Sequence, residues 1–408
     1  MTRSFRTYTI REHESVHTDI RESDKHILVR DYPSVFKYSN KGQLRVANLV
    51  GQITLSSDIT LEILPKIDIG HTNESVHERT REILLTMLRH FRRLPMHLRE
   101  SNINKLKHSP MLSIFAYLFL VQLTELVKRG LARSYVPTES KLPYLRGRLL
   151  FKEALQTNIV DQSKFFVRYD NFSEDRPINR LIASTLNLMK KHLDHVESQK
   201  LHNISTLQFS HIQASTNILA DWQVRNLDRS MLHYKEVIQW IGLFLFGHSL
   251  GPYTGEYRNL SVLFPMEQVF EDFVTAHIRL QLFDLEVVCQ ERSQSILKND
   301  KFRVKPDIVL RQGSSILAIL DAKWKEINQN LPSRKFHVSQ PDLYQLYAYS
   351  RVYKCKQLAL IYPKNRNFES PKKLEYFDGR KLVLFPFDIE HPRDSVEELS
   401  NVLELDSI

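Results

Sequence analysis

The sequence predicts a multidomain protein that mixes helix and sheet, α+β overall with an α/β carboxyl-terminal part. Three observations carry this. Short β-rich stretches broken by Asp, Ser, Asn and Gly fill residues 1–72, and helix-period apolar residues dominate 73–255. Residues 256–408 then read helix, three strands, helix, strand. At about 150 residues per domain, 408 residues leave room for two to three domains, each long enough to bury a core. The expected division is a small amino-terminal β module (1–72), a helical, basic middle region (73–255), and a carboxyl-terminal domain with a mixed sheet flanked by helices (256–408).

The strands of the first module fall at Tyr8-Thr9-Ile10, His26-Ile27-Leu28-Val29 and Leu44 to Val50. Gln52 to Ile67 reads as a hairpin with a Ser56-Ser57-Asp58 turn, stopped by Pro65. In the middle region Ile83, Leu84, Met87, Leu88 and Phe91 recur at helical spacing, and Met111 to Val127 predicts a buried helix. Arg176 to His195 and Tyr234 to Phe246 predict two more, with a basic extended stretch, Tyr144 to Leu149, between helices. Phe165, Phe166, Tyr169 and Phe172 are assigned to core packing rather than base stacking. Further on, Met266 to Leu282 predicts a helix. Strands follow at Leu285 to Val288, Val304 to Leu310 and Ser315 to Trp324, then a helix from Leu343 to Tyr353 and a buried strand at Gln357 to Tyr362.

Composition narrows the function classes. Only 11 glycines occur, and neither G-x-x-x-x-G-K-[ST] nor G-x-G-x-x-G is found, so nucleotide-driven work falls to a second polypeptide. Two distant cysteines exclude a disulfide framework and a Cys-rich zinc site, and no H-E-x-x-H occurs. The first residues lack an apolar signal region, and the apolar run Met111 to Val121 is shorter than the ~20 residues of a membrane span. A cytoplasmic protein with no membrane partner is the expectation. The net charge is +10, yet residues 251–408 hold 22 basic and 22 acidic residues. The whole excess therefore lies in residues 1–250, which suits a polyanion or acidic partner there.

The chemistry concentrates in Lys305-Pro306-Asp307-Ile308-Val309-Leu310 and Ile316 to Trp324, where an apolar strand ends in Asp321-Ala322-Lys323. Side chains alternate along a strand, so Asp321 and Lys323 share a face. An odd loop from Arg311 to Ser315 sets Asp307 opposite Ile319 and diagonal to Asp321, roughly 7–8 Å away. An even loop without a bulge sends Asp307 to the other face. Two converging carboxylates are hard ligands for Mg²⁺, which polarises a phosphate and acidifies a water. Lys323 would orient that water and stabilise the developing charge. Glu139-Ser140-Lys141 repeats the acid-x-Lys pattern in a polar segment with no buried strand behind it. On the following helix Gln345 and Tyr349 are four apart and share a face.

Pro306-Asp307, Asp321-x-Lys323 and Gln345-x-x-x-Tyr349 resemble the PD-(D/E)xK nuclease superfamily, in its RecB-like branch. Leu61 to Lys66, Leu145-Arg146-Gly147-Arg148, Phe172 to Asp175 with Pro177-x-Asn179-Arg180, and Met266-x-x-x-Phe270-Glu271-x-Phe273-Val274 extend the similarity to the McrC family. That family supplies the nuclease subunit of McrBC-type restriction systems. The resemblance implies a PD-(D/E)xK domain with catalytic Asp307, Asp321, Lys323, Gln345 and Tyr349, and Mg²⁺ held by Asp307 and Asp321. Glu271 is a further metal-side acid, or else a solvated helix acid. It also implies an McrB-like AAA+ GTPase oligomer that binds the GTP, and double-stranded DNA carrying modified cytosine. Arg146 and Arg148 are candidate contacts to that partner or to DNA; Gln52, Lys325 and Arg334 receive no role. Two other readings stay open: a non-catalytic DNA-bridging subunit that activates a partner NTPase, and a stand-alone RecB-like repair nuclease.

Overall fold

A computed structural model of the chain describes residues 6–16, 19–33, 35–55, 59–67, 74–92, 94, 109–152, 163–224, 229–246, 261–297, 302–328 and 338–405. The chain forms two compact units, Met1–Met111 with His248–Ile408, and Leu112–Gly247. The boundaries expected at 72/73 and 255/256 and the Ser56 to Asp58 turn lie outside the described residues.

In the first unit β1 (Arg6–Arg11), β4 (Leu49–Thr54), β5 (Ile59–Leu64) and β9 (Ser261–Pro265) form one sheet in the order β1-β5-β4-β9. β5 is buried along its whole length, so it reads as a continuous apolar run with one charge, Glu62. That carboxylate is 1 % exposed and receives two hydrogen bonds from the Arg81 guanidinium, at 2.7 and 2.6 Å, from the Glu74–Leu88 helix. Gly51 sits at φ +139°, and a Cβ there would lie 1.9 Å from the Val262 carbonyl oxygen. Only glycine lets β4 and β9 pair so closely. The strand expected at His26 to Val29 is instead part of the Glu22–Asp31 helix, where the buried residues Asp24 and Leu28 are four apart. A short β-hairpin, β2 (Phe36–Tyr38) with β3 (Leu44–Val46), completes this part.

The second sheet of this unit contains β10 (Glu286–Cys289), β11 (Ile308–Gln312), β12 (Ser315–Ala322), β13 (Gln357–Pro363), β14 (Lys372–Glu375) and β15 (Lys381–Phe387), in the order β10-β11-β12-β13-β15-β14. β12, β13 and β15 are parallel and the outer pairs antiparallel, so the sheet is mixed. One face packs Trp324 and Phe387 against Phe270 and Phe273 of the Met266–Gln281 helix. The other packs Ile319, Leu358, Leu360 and Leu384 against Leu346 and Tyr349 of the Gln340–Val352 helix. β14, β15 and the Pro392–Val402 helix go beyond the sequence reading.

The second unit is helical as expected, but where a basic loop or hairpin is expected around Tyr144 to Leu149 it carries a three-stranded sheet. Its helices include Met111–Arg129, Pro177–Met189, Val196–Gln208 and Lys235–Phe246. Beside them β6 (Ser134–Leu142), β8 (Phe165–Ser173) and β7 (Arg148–Leu149) form an antiparallel sheet in that order. Its strands escape a hydrophobic-pattern search because both faces carry exposed residues. Tyr135 is 70 % and Phe172 52 % exposed, their rings tilted against each other with centroids 4.9 Å apart. Of the aromatics around Arg168 expected in the core, Phe165 and Phe172 are exposed and Phe166 and Tyr169 half-buried, whereas Val167 is buried in their place. Glu139-Ser140-Lys141 lies on exposed β6, with Glu139 paired to Arg168. The Met111–Arg129 helix has the length and apolarity of a bilayer span, but 61 % of its most apolar window is buried within the protein, as in a core helix.

Candidate active site

The site forms where β11 and β12 diverge. Ile308 pairs with Leu320, Val309 with Ile319 and Leu310 with Ala318; then the register shifts and Arg311 pairs with Ile316. The turn is the two-residue Gly313-Ser314, with Gly313 at φ +59°. An even loop alone would separate Asp307 from Asp321. Leu317, left without a partner at the shift, is a β-bulge that restores the parity. Extending the register by one residue sets Asp307 directly opposite Asp321 rather than opposite Ile319, on the face of the Gln340–Val352 helix.

Asp307 accepts a hydrogen bond from the Ala322 amide at 3.0 Å. Burial, then the charges of Asp321 and Glu271, push its carboxyl up to about 8 against the pull of Lys323. Asp321 is 2 % exposed, and burial raises it too, opposed by Lys323, whose Nζ lies 2.7 Å from Oδ2. Burial alone would lower the lysine, but Asp321, Asp307 and Asp342 hold it charged and raised. The Lys323 ammonium also donates to Gln345 Oε1 at 3.3 Å, and Gln345 Nε2 donates to the Tyr349 hydroxyl at 2.8 Å. Asp321, Lys323, Gln345 and Tyr349 therefore form one connected chain beside the Asp307 carboxyl, and burial with the Asp321 charge keeps the Tyr349 phenol protonated.

Glu271 sits behind this group, 8 % exposed. Its Oε1 accepts from Gln290 at 2.8 Å and has the Arg92 guanidinium at 3.5 Å. Burial raises its carboxyl, and its charge is felt at Asp307. Among the described residues no three His, Cys, Asp or Glu side chains are arranged to hold a metal ion. Two facing carboxylates with one lysine remain. That set fits Mg²⁺, which takes one or two carboxylates and completes its octahedron with water and phosphate oxygens.

Two residues escaped the sequence reading. Lys325 Nζ pairs with Asp342 Oδ2 at 2.7 Å, a second tie parallel to Lys323–Gln345 between the β12 exit and the helix. The only hint was spacing: 323 and 325 are two apart on an extended chain, 342 and 345 three apart on a helix. Asp342 is buried in the first helical turn and makes no cap; Ser339 holds the N-cap position. Gln52 is buried in β4 opposite Glu62, and Arg334 lies outside the described residues. In the second unit Arg146 and Arg148 are both exposed. Arg146 stacks 4.2 Å from the Tyr169 ring centroid, and Arg148 pairs across strands with Arg168. Gly147, at φ +69°, turns the chain between them, since a Cβ would meet the Arg168 carbonyl oxygen at 2.4 Å.

A family model described as McrBC 5-methylcytosine restriction system component matches residues 44–363. The type IV methyl-directed restriction enzyme EcoKMcrBC of Escherichia coli (strain K12) is 26% identical over 275 residues, covering 62% of this chain and 75% of that protein. A chain of the Thermococcus gammatolerans half-complex of McrB AAA+ hexamers with bound McrC superposes with a TM-score of 0.68 at 20% identity. The match covers 96% of this chain and 100% of that one. At that identity the structural likeness is one of fold.

Proposed function

Because this chain belongs to the family of McrBC 5-methylcytosine restriction system components, we propose that it is the Mg²⁺-dependent DNA endonuclease subunit of such a system, built on a PD-(D/E)xK domain. The observation that carries this is the convergence of Asp307 and Asp321 on one face with the Lys323 ammonium 2.7 Å from Asp321. Asp307 and Asp321 would hold the metal, which supplies Lewis acidity at the scissile phosphate. Lys323, kept cationic by three carboxylates, orients the attacking water and offsets charge growing on the phosphate. Gln345 holds the ammonium in place and Tyr349 holds Gln345. The partner in this reading is an McrB-like AAA+ GTPase hexamer, as in the archaeal complex, and the DNA carries modified cytosine. Exposed Arg146 and Arg148 would contact that partner or the DNA.

The test is cleavage of methylated against unmethylated plasmid by the purified chain with its GTPase partner, Mg²⁺ and GTP, for wild type and Asp321→Ala. Cutting that needs methylation, GTP and Asp321 is the expected result. Full cutting by Asp321→Ala would overturn the site. GTPase stimulation without cutting points to a bridging subunit, and cutting without partner or nucleotide to a stand-alone nuclease.

A further inference from the structure

Past Lys323 the chain leaves β12 along the edge of a cavity of about 300 Å³. Three ammonium groups from three strand exits line it: Lys66 beyond β5, Lys325 beyond β12 and Lys364 beyond β13. Carboxyl ends of parallel strands are where α/β sheets take their ligands. The amino-terminal sheet, through Lys66, supplies one wall, and the sheet carrying Asp321 supplies the others. Lys325 follows Lys323 by two residues, about 7 Å along extended chain, so the cavity begins one short step from the carboxylates.

The lining mixes Ile67, Trp324 and Pro363 with polar residues, among them two acids, Glu12 and Glu326. Glu12 is 1 % exposed, and its Oε1 accepts from the Trp324 indole at 2.5 Å and from the Lys66 amide at 2.9 Å. Burial pushes that carboxyl up, which weakens its repulsion of an anion. Lys325 is tied to the buried Asp342, but the other two lysines have more open partners. Lys66 pairs with Glu326 at 2.9 Å, the two side chains 48 % and 49 % exposed, and Lys364 pairs with Asp388 at 3.2 Å. An exposed pair such as Lys66–Glu326 contributes about 0–1 kcal/mol, so a phosphate can displace that acid; in the second pair Lys364 is 42 % exposed and can swing from Asp388, which the Glu390 and His391 amides also hold.

We propose that this cavity is a phosphodiester cradle for the DNA strand flanking the cleavage centre, in which Lys66 and Lys364 exchange Glu326 and Asp388 for backbone phosphates. Its position beside the scissile bond rests on the nuclease reading; its ligand does not.

The experiment is equilibrium anisotropy of a labelled DNA duplex with the full chain and its GTPase partner, in Ca²⁺ to hold off cutting. Wild type is compared with Lys66→Ala/Lys364→Ala, Lys364→Gln and Glu326→Gln over a salt series. Each phosphate contact contributes about 0.9 to the slope of log K against log salt. The double variant should lose about 1.8 of slope, so from about 50 to 200 mM salt it forfeits about 12-fold less affinity than wild type. Lys364→Gln should lose half that slope. Glu326→Gln should bind DNA more tightly than wild type, a gain that misfolding cannot produce. A double variant with the wild-type slope, or a Glu326→Gln chain that binds no tighter, overturns the cradle. A mononucleotide that quenches Trp324 emission while the DNA slope stays unchanged would assign the cavity to free nucleotide and overturn it as well. If wild type never cuts yet these slopes hold, the nuclease reading fails and the cradle stands.

Discussion

Replacing Asp307 with asparagine should stabilise the metal-free protein while abolishing its cutting. The carboxyl is pushed from 3.8 up to about 8, first by burial and then by Asp321 and Glu271. A carboxyl raised in this way binds its proton more tightly in the folded than in the unfolded chain. Folding stability therefore falls as pH climbs from about 4 to about 8. Between 3.8 and pH 7 the penalty reaches about 4 kcal/mol, at about 1.36 kcal/mol per pH unit. Asp307 is only partly buried, so solvent screens part of this, and about 2 kcal/mol is the expected gain for Asp307→Asn at pH 7. Asparagine keeps an oxygen to accept the Ala322 amide, so no hydrogen bond is lost. The assay is hydrogen exchange of β11 and β12 amides in EDTA from pH 4 to 8. The variant should gain protection over wild type as pH rises and match it near pH 4; added Mg²⁺ should slow exchange in wild type alone. Weaker protection of the variant at pH 7, or a wild type whose protection does not fall with pH, would refute the reasoning.

Asp342→Asn frees Lys325 from its 2.7 Å tie and should slow single-turnover cutting by about 10- to 100-fold, without weakening DNA affinity, because the β12 exit that carries Lys323 loses one of its two ties. Tighter DNA binding would place Lys325 among the phosphate contacts instead, and an unchanged cutting rate would refute its role in holding Lys323. In the second unit, burial lowers His192 from 6.5 to about 4. Its neutral folded form adds stability above the unfolded value that is lost as pH falls from about 6.5 to about 4, up to about 3 kcal/mol. His192→Gln should flatten that acid limb in urea denaturation, whereas an unchanged limb would assign it to another group.

Much of the site was legible without coordinates because it is local. Asp321 and Lys323 share a face by the period of a strand, and Gln345 and Tyr349 by the period of a helix. The apolar run before Asp321 announces a buried strand that would hold the carboxylate. The family motifs follow the same local order, and residues 44–363 match the family model as a continuous stretch. What periodicity could not decide was parity across the hairpin. The loop is even, and the Leu317 bulge alone returns Asp307 to the face of Asp321. A bulge is a packing outcome, selected because Leu310, Ala318, Ile319 and Leu320 must all be buried, and no residue type marks it in the chain.

Longer-range features were hidden for a related reason. β4 pairs with β9, more than two hundred residues away, and the requirement shows locally only as Gly51. The exposed sheet of the second unit lacks the apolar alternation by which strands are recognised, so only an extended basic stretch at Tyr144 to Leu149 showed in the sequence. Local sequence, through side chains two to four positions apart, determined where chemistry-bearing residues share a surface. Tertiary structure decided which surfaces meet, because burial of distant strands sets the register, the bulge and the lysines gathered at the strand ends.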